Sequence, residues 1–479
     1  MNKIVFHLLV LLMVASCSHE SNENTDHKTR LENEIRGQVK FLNEPENLNS
    51  ISNKMSELKI PALSLTIINQ GQIEWSDVYQ NPNFYTEEKL DNTSIFQAAS
   101  LSKPVTFMAA LRMHSAGEID LDKNIQDYLK EFELPIGKQT EENPVTFRNI
   151  FSHTSGLNAG GYQGYSQELD LPSDMDILLG KEGVNSAAIE VVNTPNEALI
   201  YSGGGYTLAE VALQDRYNDD FAKIMKKWIL DPAGMKSSDF IQPIPSTWSN
   251  RIAKGHTQSG NILEGGWRNY PEQAAAGLWS NSSDLAKFLI EIYNAYQGNN
   301  SILSTSDIKS IINQERDGHI YGFVTERNGD DISITHYGGN AGYRTSMTIS
   351  LTSGNGLVYL INSDNGVSLG NELLLSASEI YGWKHFKQTQ VHSDDVDLEI
   401  LKGLAGEYKW NNQIDLTIGF NDDSNSISLI FPNGDDYILS PIVGDELDFI
   451  HSNTGVRVAF LKDNDLNSFS LYGNTAVKM

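Results

Sequence analysis

Ser100-Leu101-Ser102-Lys103 sets a hydroxyl and an amine three residues apart, at the head of a stretch with apolar residues at helical spacing (Val105, Met108, Ala109, Leu111, Met113). Residues at that separation on a first helical turn share a face, so the amine comes within hydrogen-bond reach of the hydroxyl. A serine hydroxyl is a poor nucleophile until a base takes its proton, and the pair therefore points to nucleophilic catalysis. The helix N-terminus adds a positive dipole end that favours negative charge developing beside Ser100. Pro104 is tolerated only within the first turn or so, which places the start of the helix near Ser100. Alone the tetrad carries little weight, because a chain of this length shows about two by chance at ordinary Ser and Lys frequencies. Ser56–Lys59 and Ser306–Lys309 are such tetrads without companions. Ser100 is distinguished by the order of two later segments: Tyr201-Ser202-Gly203-Gly204-Gly205-Tyr206, then His336-Tyr337-Gly338-Gly339-Asn340-Ala341-Gly342-Tyr343, which opens with the only HxG triplet in the sequence.

From about Leu42 the pattern is that of a packed α/β domain. Ala62–Ile68 reads as a strand by its β-branched and apolar content, closed by the turn Asn69–Gln72 before a short strand at Ile73–Trp75. The spacing predicts a helix from Ser100 to about Ala116, stopped by Gly117. Further helices are expected over Leu208–Leu213, Asp220–Leu230 and Ser283–Tyr296, the last with Ser282 or Ser283 as N-cap. Strands are expected over Thr345–Leu351 and Leu357–Asn362. Helices gathered between an early and a late strand set argue for one sheet made from both ends of the domain.

From about Tyr381 the character changes. His392–Glu399 is an acidic run, read as a solvated linker in preference to a calcium site. Beyond it Ile414, Leu416, Ile418 and Phe420 alternate with a period of two. Short strands are expected over Ser426–Phe431, Tyr437–Leu439, Leu447–Ile450, Val456–Leu461 and Ser468–Tyr472, divided by Asn/Asp/Gly turns. The segment is expected to be a small antiparallel barrel or curled sheet.

Taken in order, the Ser100/Lys103, Tyr201 and His336 segments resemble the three active-site motifs of the serine β-lactamase and penicillin-binding-protein superfamily, specifically its class C-like hydrolases, which include D-alanyl-D-alanine carboxypeptidases and esterases. The resemblance covers roughly residues 45–385 and extends to Phe96-Gln97-Ala98-Ala99, Gly117–Asp122, Phe151–Leu157, Ala275–Ser280 and Leu360–Ser363. It implies a β-lactamase-like α/β sandwich with a helical subdomain over 41–388, the site lying between them, followed by a small all-β, barrel-like domain over 396–479. By position it makes Ser100 the acylated nucleophile, Lys103 an aid to its deprotonation and Tyr201 a general base or proton shuttle. His336 stands where relatives carry the lysine of a KTG motif, and the backbone amides of Ser100 and Gly339 are the implied oxyanion hole.

Two departures from the family pattern matter. Gly203 occupies the place of an asparagine whose amide binds a substrate carbonyl. His336 replaces a lysine that helps hold substrate carboxylates, and a histidine is a cation only part of the time near neutral pH. Both weaken the case for a β-lactamase. His153 lies within a family-like block and is expected to pack beneath the site without taking part in the chemistry. The C-terminal domain resembles small lipocalin-like domains appended to such hydrolases, and a packing or gating role is expected of it.

The composition narrows the remaining classes. A chain of 479 residues with 39% hydrophobic and 20% charged residues excludes disorder as the dominant state. Its 35 Lys+Arg against 62 Asp+Glu leave a net charge of -27, which repels phosphate backbones, so nucleic acid is not an expected partner. A single cysteine, scattered histidines with no HExxH pair and the lack of a phosphate-binding loop give no metal or organic cofactor. At the N-terminus Lys3 precedes an apolar run, Ile4–Val14, interrupted by His7, which is too short to span a bilayer but suits a signal-peptide core. Val14-Ala15-Ser16-Cys17 resembles a bacterial lipobox. Residues 1–16 are thus expected to be a lipoprotein signal peptide, Cys17 a lipid anchor at the membrane of the bacterial cell envelope (periplasmic face or outer membrane), and 17–40 a polar tether. The expected function is a serine hydrolase forming a Ser100 acyl-enzyme with small amides or esters, either a D-peptidase or a carboxylesterase. The competing readings are a catalytically idle cell-envelope binding or sensing protein and a β-lactamase.

Overall fold

The computed structural model describes residues 26–85, 89–461 and 466–479. The expected signal peptide and Cys17 lie outside the described residues. The chain forms two compact units, one containing Ser52–Gly370, the other Thr29–Ile51 with Asn371–Met479.

The first unit is built on a seven-stranded sheet. Its strands are β1 (Ala62–Asn69), β2 (Gln72–Gln80), β3 (His319–Ile320), β4 (Phe323–Asn328), β5 (Asp331–Asn340), β6 (Tyr343–Ser350) and β7 (Gly356–Ile361). They lie in the order β2-β1-β7-β6-β5-β4-β3, and every neighbouring pair is antiparallel. β7 pairs with β1, Gly356 opposite Ile68 and Ile361 opposite Leu63, so the early hairpin and the late strands do share one sheet, as expected. β7 is buried at every position, which explains why its Leu-Val-Tyr-Leu-Ile run is apolar throughout.

Helix α1 (Ser102–Ser115) comes directly after a 3-10 turn at Ala99–Leu101. Every residue of α1 from Ser102 to Leu111 is buried, so the helix runs through the core with no solvent face there. Helix α2 (Gly203–Tyr217) packs against the short helical turn Gln273–Ala276, and α3 (Ser282–Gln297) lies on β1. The cap of α3 corrects the expectation: Asn281 Oδ1 accepts from Asp284 N at 2.9 Å. Ser282 is occupied elsewhere, its hydroxyl bonding Ser64 and Thr66 of β1. The expected helix over Asp220–Leu230 is α-helical only over Phe221–Met225 and continues as a π-turn, Lys226–Leu230.

The second unit carries a closed barrel of eight strands: β8 (Gly406–Trp410), β9 (Ile414–Asn421), β10 (Ser426–Ile430), β11 (Asp436–Ile442), β12 (Leu447–Ile450), β13 (Arg457–Phe460), β14 (Ser468–Leu471) and β15 (Asn474–Lys478). β8 pairs with β15 and closes the ring. Tyr408, Leu416, Leu429, Phe449, Phe460 and Phe469 are among the side chains that fill the interior, so the barrel is a packed core and not a hollow one. Part of the stretch expected to be a tether is built into this unit. Leu31 and Ile35 are buried, Ile35 bridges to Asn49, and Val39–Phe41 pairs in parallel with Thr389–Val391. Burial of those scattered apolar residues outweighs the polar average on which the tether reading rests. In the acidic run, Asp397 caps the helix Leu398–Leu404 by accepting from Glu399 N at 3.0 Å.

Candidate active site

Ser100 sits at the middle of the 3-10 turn, and Lys103 is the second residue of α1. Lys103 Nζ donates to Ser100 Oγ at 3.2 Å and to the Ala275 carbonyl at 2.7 Å. Tyr201, on the approach to α2, donates its hydroxyl to the same Ser100 Oγ at 3.0 Å. The ammonium also lies over two rings, 4.9 Å from the centroid of Tyr201 and 5.7 Å from that of Tyr206. Lys103 is buried whereas Tyr201 is 42% exposed, so the phenol faces the open side of the serine and the amine the closed side.

The turn that presents Ser100 is strained and held from several directions. Ala99 has φ 52°, a left-handed conformation that costs an alanine roughly 1 kcal/mol. Ala98 N donates to Leu278 O at 2.9 Å. Thr345 Oγ1 of β6 donates to Ala98 O at 3.0 Å, and Ser102 Oγ takes the Leu278 amide while donating to Ala99 O. The Ala274–Leu278 segment is thus stitched to the nucleophile turn, and it also supplies the carbonyl that holds Lys103. Glu210 of α2 fixes that segment by accepting from Ala274 N at 2.8 Å.

β5 edges the site. A Cβ on Gly338 would lie 2.7 Å from Ala98 O and 2.4 Å from Thr345 Oγ1, so the strand approaches the serine turn as closely as only glycine permits. This accounts for the glycine of the HxG triplet. Gly339, next along the strand, is exposed and pairs with Arg344. His336 departs from expectation. It is 7% exposed, and burial, reinforced by the Lys103 charge, pushes its imidazole down to about 3. The ring is therefore neutral near pH 7, and the part-time cation expected from residue type alone is absent.

Gly203, at the position of the family asparagine, has a structural cause. Its amide donates to Gly160 O at 3.1 Å, and a Cβ there would stand 3.1 Å from that oxygen and 3.1 Å from the Tyr162 ring. The loop at 158–162 fills the space a side chain would need. Tyr162 is anchored in place by a 2.7 Å bond between its hydroxyl and that of Thr207.

Sequence reasoning brought Ser100, Lys103 and Tyr201 together, and the structure does the same. It missed the Ala275 carbonyl and the left-handed Ala99, neither of which has a signal in residue type. Among the described residues no group of His, Cys, Asp or Glu is arranged to hold a metal ion, and no helix is long and apolar enough to cross a membrane.

The family model for beta-lactamase matches residues 49–378. Penicillin-binding protein 4* of Bacillus subtilis (strain 168) is 26% identical over 348 residues, which are 67% of this chain and 74% of that protein. The octameric penicillin-binding protein homologue from Pyrococcus abyssi is similar in structure, with a TM-score of 0.59 at 20% identity, covering 89% of this chain and 98% of that one. D-amino acid amidase from Ochrobactrum anthropi SV3 has a TM-score of 0.54 at 18% identity, over 70% of this chain and 97% of that one. Likeness at such identities speaks to the fold, whereas the family match spans more than half of the sequence and includes all three segments that meet at Ser100. The chain belongs to the beta-lactamase family.

Proposed function

We propose that the protein is a serine hydrolase that acts on small amides or esters through an acyl-enzyme at Ser100. The observation that carries this reading is the convergence of Lys103 Nζ and Tyr201 OH on Ser100 Oγ, at 3.2 and 3.0 Å. In acylation the Ser100 O–H bond breaks, its proton passes to whichever of the two partners enters the step with a free lone pair, and Oγ bonds to the substrate carbonyl carbon. The backbone amides of Ser100 and Gly339 stabilise the resulting oxyanion. The proton then passes to the leaving amine or alkoxide as the carbonyl re-forms. A water molecule repeats the sequence on the acyl-enzyme and releases the acid.

Neutral His336 offers no charge to a substrate carboxylate, and Gly203 offers no side-chain amide to a substrate carbonyl. Both favour a carboxylesterase or a peptidase for small D-amino-acid amides over a β-lactamase. D-amino acid amidase, which shares the fold, lends the amide class additional support. At the N-terminus we propose that Cys17 is acylated and anchors the protein at the cell-envelope membrane. Cys17→Ala should shift the protein to the soluble fraction, and undiminished membrane association would discard the anchor.

The test is hydrolysis of p-nitrophenyl esters and D-amino-acid p-nitroanilides by the wild type and by Ser100→Ala. Loss of at least about a hundredfold in the variant, at unchanged melting temperature, is expected. Absence of any Ser100-dependent turnover would leave the idle binding protein standing.

A further inference from the structure

His153 takes no part in the acyl-transfer steps, yet it makes three contacts that converge on a single neighbour. Its carbonyl accepts from Ile200 N at 2.7 Å, and its Nδ1 accepts from Ser202 N at 3.1 Å. These are the amides on either side of Tyr201. Its imidazole lies against the Tyr201 ring, centroids 4.4 Å apart at 31°, and against the Tyr206 ring at 5.4 Å. The arrangement carries two costs: a non-glycine residue at φ 57°, and a buried Nε2 with no hydrogen-bond partner among the described residues. Because Nδ1 accepts an amide proton, the neutral ring carries its own proton on Nε2, and burial beside the Lys103 charge opposes a second one. Neither cost is offset within the residue, and both accompany a geometry that brings one side chain and one carbonyl to bear on three consecutive residues.

We propose that His153 is the positioning residue for Tyr201: it grips the amides flanking the tyrosine and backs the phenol ring, so that the hydroxyl is delivered to Ser100 Oγ. The inference rests on the hydrolase reading for its kinetic consequence, but the grip itself is a structural claim with its own measurement. His153→Asn and His153→Leu separate its parts. Asn places an acceptor where Nδ1 stands and tolerates a left-handed backbone, whereas Leu fills the same volume with no acceptor.

In ester hydrolysis, His153→Leu should lower kcat by at least about tenfold with KM changed less than about twofold, and His153→Asn should recover most of that loss. In a Tyr201→Phe background the Leu substitution should change kcat by less than about twofold, because the hydroxyl it would misplace is already gone. Hydrogen exchange at residues 200–202, followed by mass spectrometry, should quicken in the Leu variant and remain slow in the Asn variant, whether or not the enzyme turns over. Equal kcat losses in both backgrounds, equal losses for Asn and Leu, or unchanged exchange in His153→Leu would each overturn the proposal. If His153→Leu does not fold, the Asn variant still decides through its exchange and its kcat. A wild type without Ser100-dependent turnover, but with the expected exchange pattern, would sink the hydrolase reading and leave the grip in place.

Discussion

Ser100 Oγ receives hydrogen bonds from Lys103 and Tyr201 at once; under the proposed acyl-enzyme chemistry both serve the same proton transfer, and their contributions are not separable. Lys103→Ala and Tyr201→Phe should each lower kcat for an activated ester by about 10² to 10⁴. The double variant should be no worse than the poorer single by more than about threefold; multiplicative losses would mean that one of the two only supports the fold. Gly203 makes the complementary case. Because the loop at 158–162 already fills its side-chain space, Gly203→Asn should lower stability by about 1–3 kcal/mol without conferring β-lactam turnover. A variant as stable as the wild type that hydrolyses nitrocefin would refute that reading. At this scale the sequence was legible where residue type and order were enough, as for Ser100, Lys103 and Tyr201. It was misleading for His336, whose type implies a group titrating near neutrality but whose burial beside the Lys103 charge removes its own.

The elements act by holding the serine turn from outside. β5 reaches it at Gly338, where a methyl group would press on Ala98 O and Thr345 Oγ1. Gly338→Ala should therefore cost about 1–3 kcal/mol and lower kcat together, read by chemical denaturation and ester hydrolysis. A stable Gly338→Ala enzyme with full activity would show that the strand does not position the nucleophile. Elements with a clear local signal were read well, such as the early hairpin and β7. β3, β4 and β5 were not, because β5 buries Ser333 and Thr335 as fully as Ile332 and Ile334 by pairing their hydroxyls with Thr348. A strand with polar residues satisfied inside a sheet has the composition of a loop. In the barrel, β8 and β15 escaped for a related reason: their inward side chains include Tyr408 and Ala476, too few apolar residues to mark an alternation.

Across the whole molecule, buried ionisable groups set how stability depends on pH. His336 is held near 3 against its usual 6.5, so between those values the unfolded chain binds a proton that the fold excludes, and stability falls as pH drops through that window. Glu272, fully buried and with no side-chain hydrogen-bond partner for its carboxylate among the described residues, behaves in the opposite sense. Burial raises it from 4.5 to about 8. The fold then keeps a proton that the unfolded chain loses, and stability falls as pH rises from 4.5 towards 8. Glu272→Gln should thus stabilise the protein by on the order of 3 kcal/mol at pH 7 and change little at pH 4.5. The same gain at both pH values would contradict the assignment. No part of this was legible from the net charge of -27, which counts Glu272 as an anion. The division into units was only partly legible, because Thr29–Ile51 joins the second unit through contacts distant in sequence.

Formation of an acyl-enzyme at Ser100 is the claim on which the proposed chemistry stands. Its most direct test is intact-mass spectrometry, with peptide mapping, of the protein quenched at short times after mixing with p-nitrophenyl butyrate. The expected result is a mass increase of one butyryl group on the peptide containing Ser100, formed as nitrophenolate is released and absent from Ser100→Ala. The same adduct in Ser100→Ala, or a butyryl group mapped to any other residue, would contradict it.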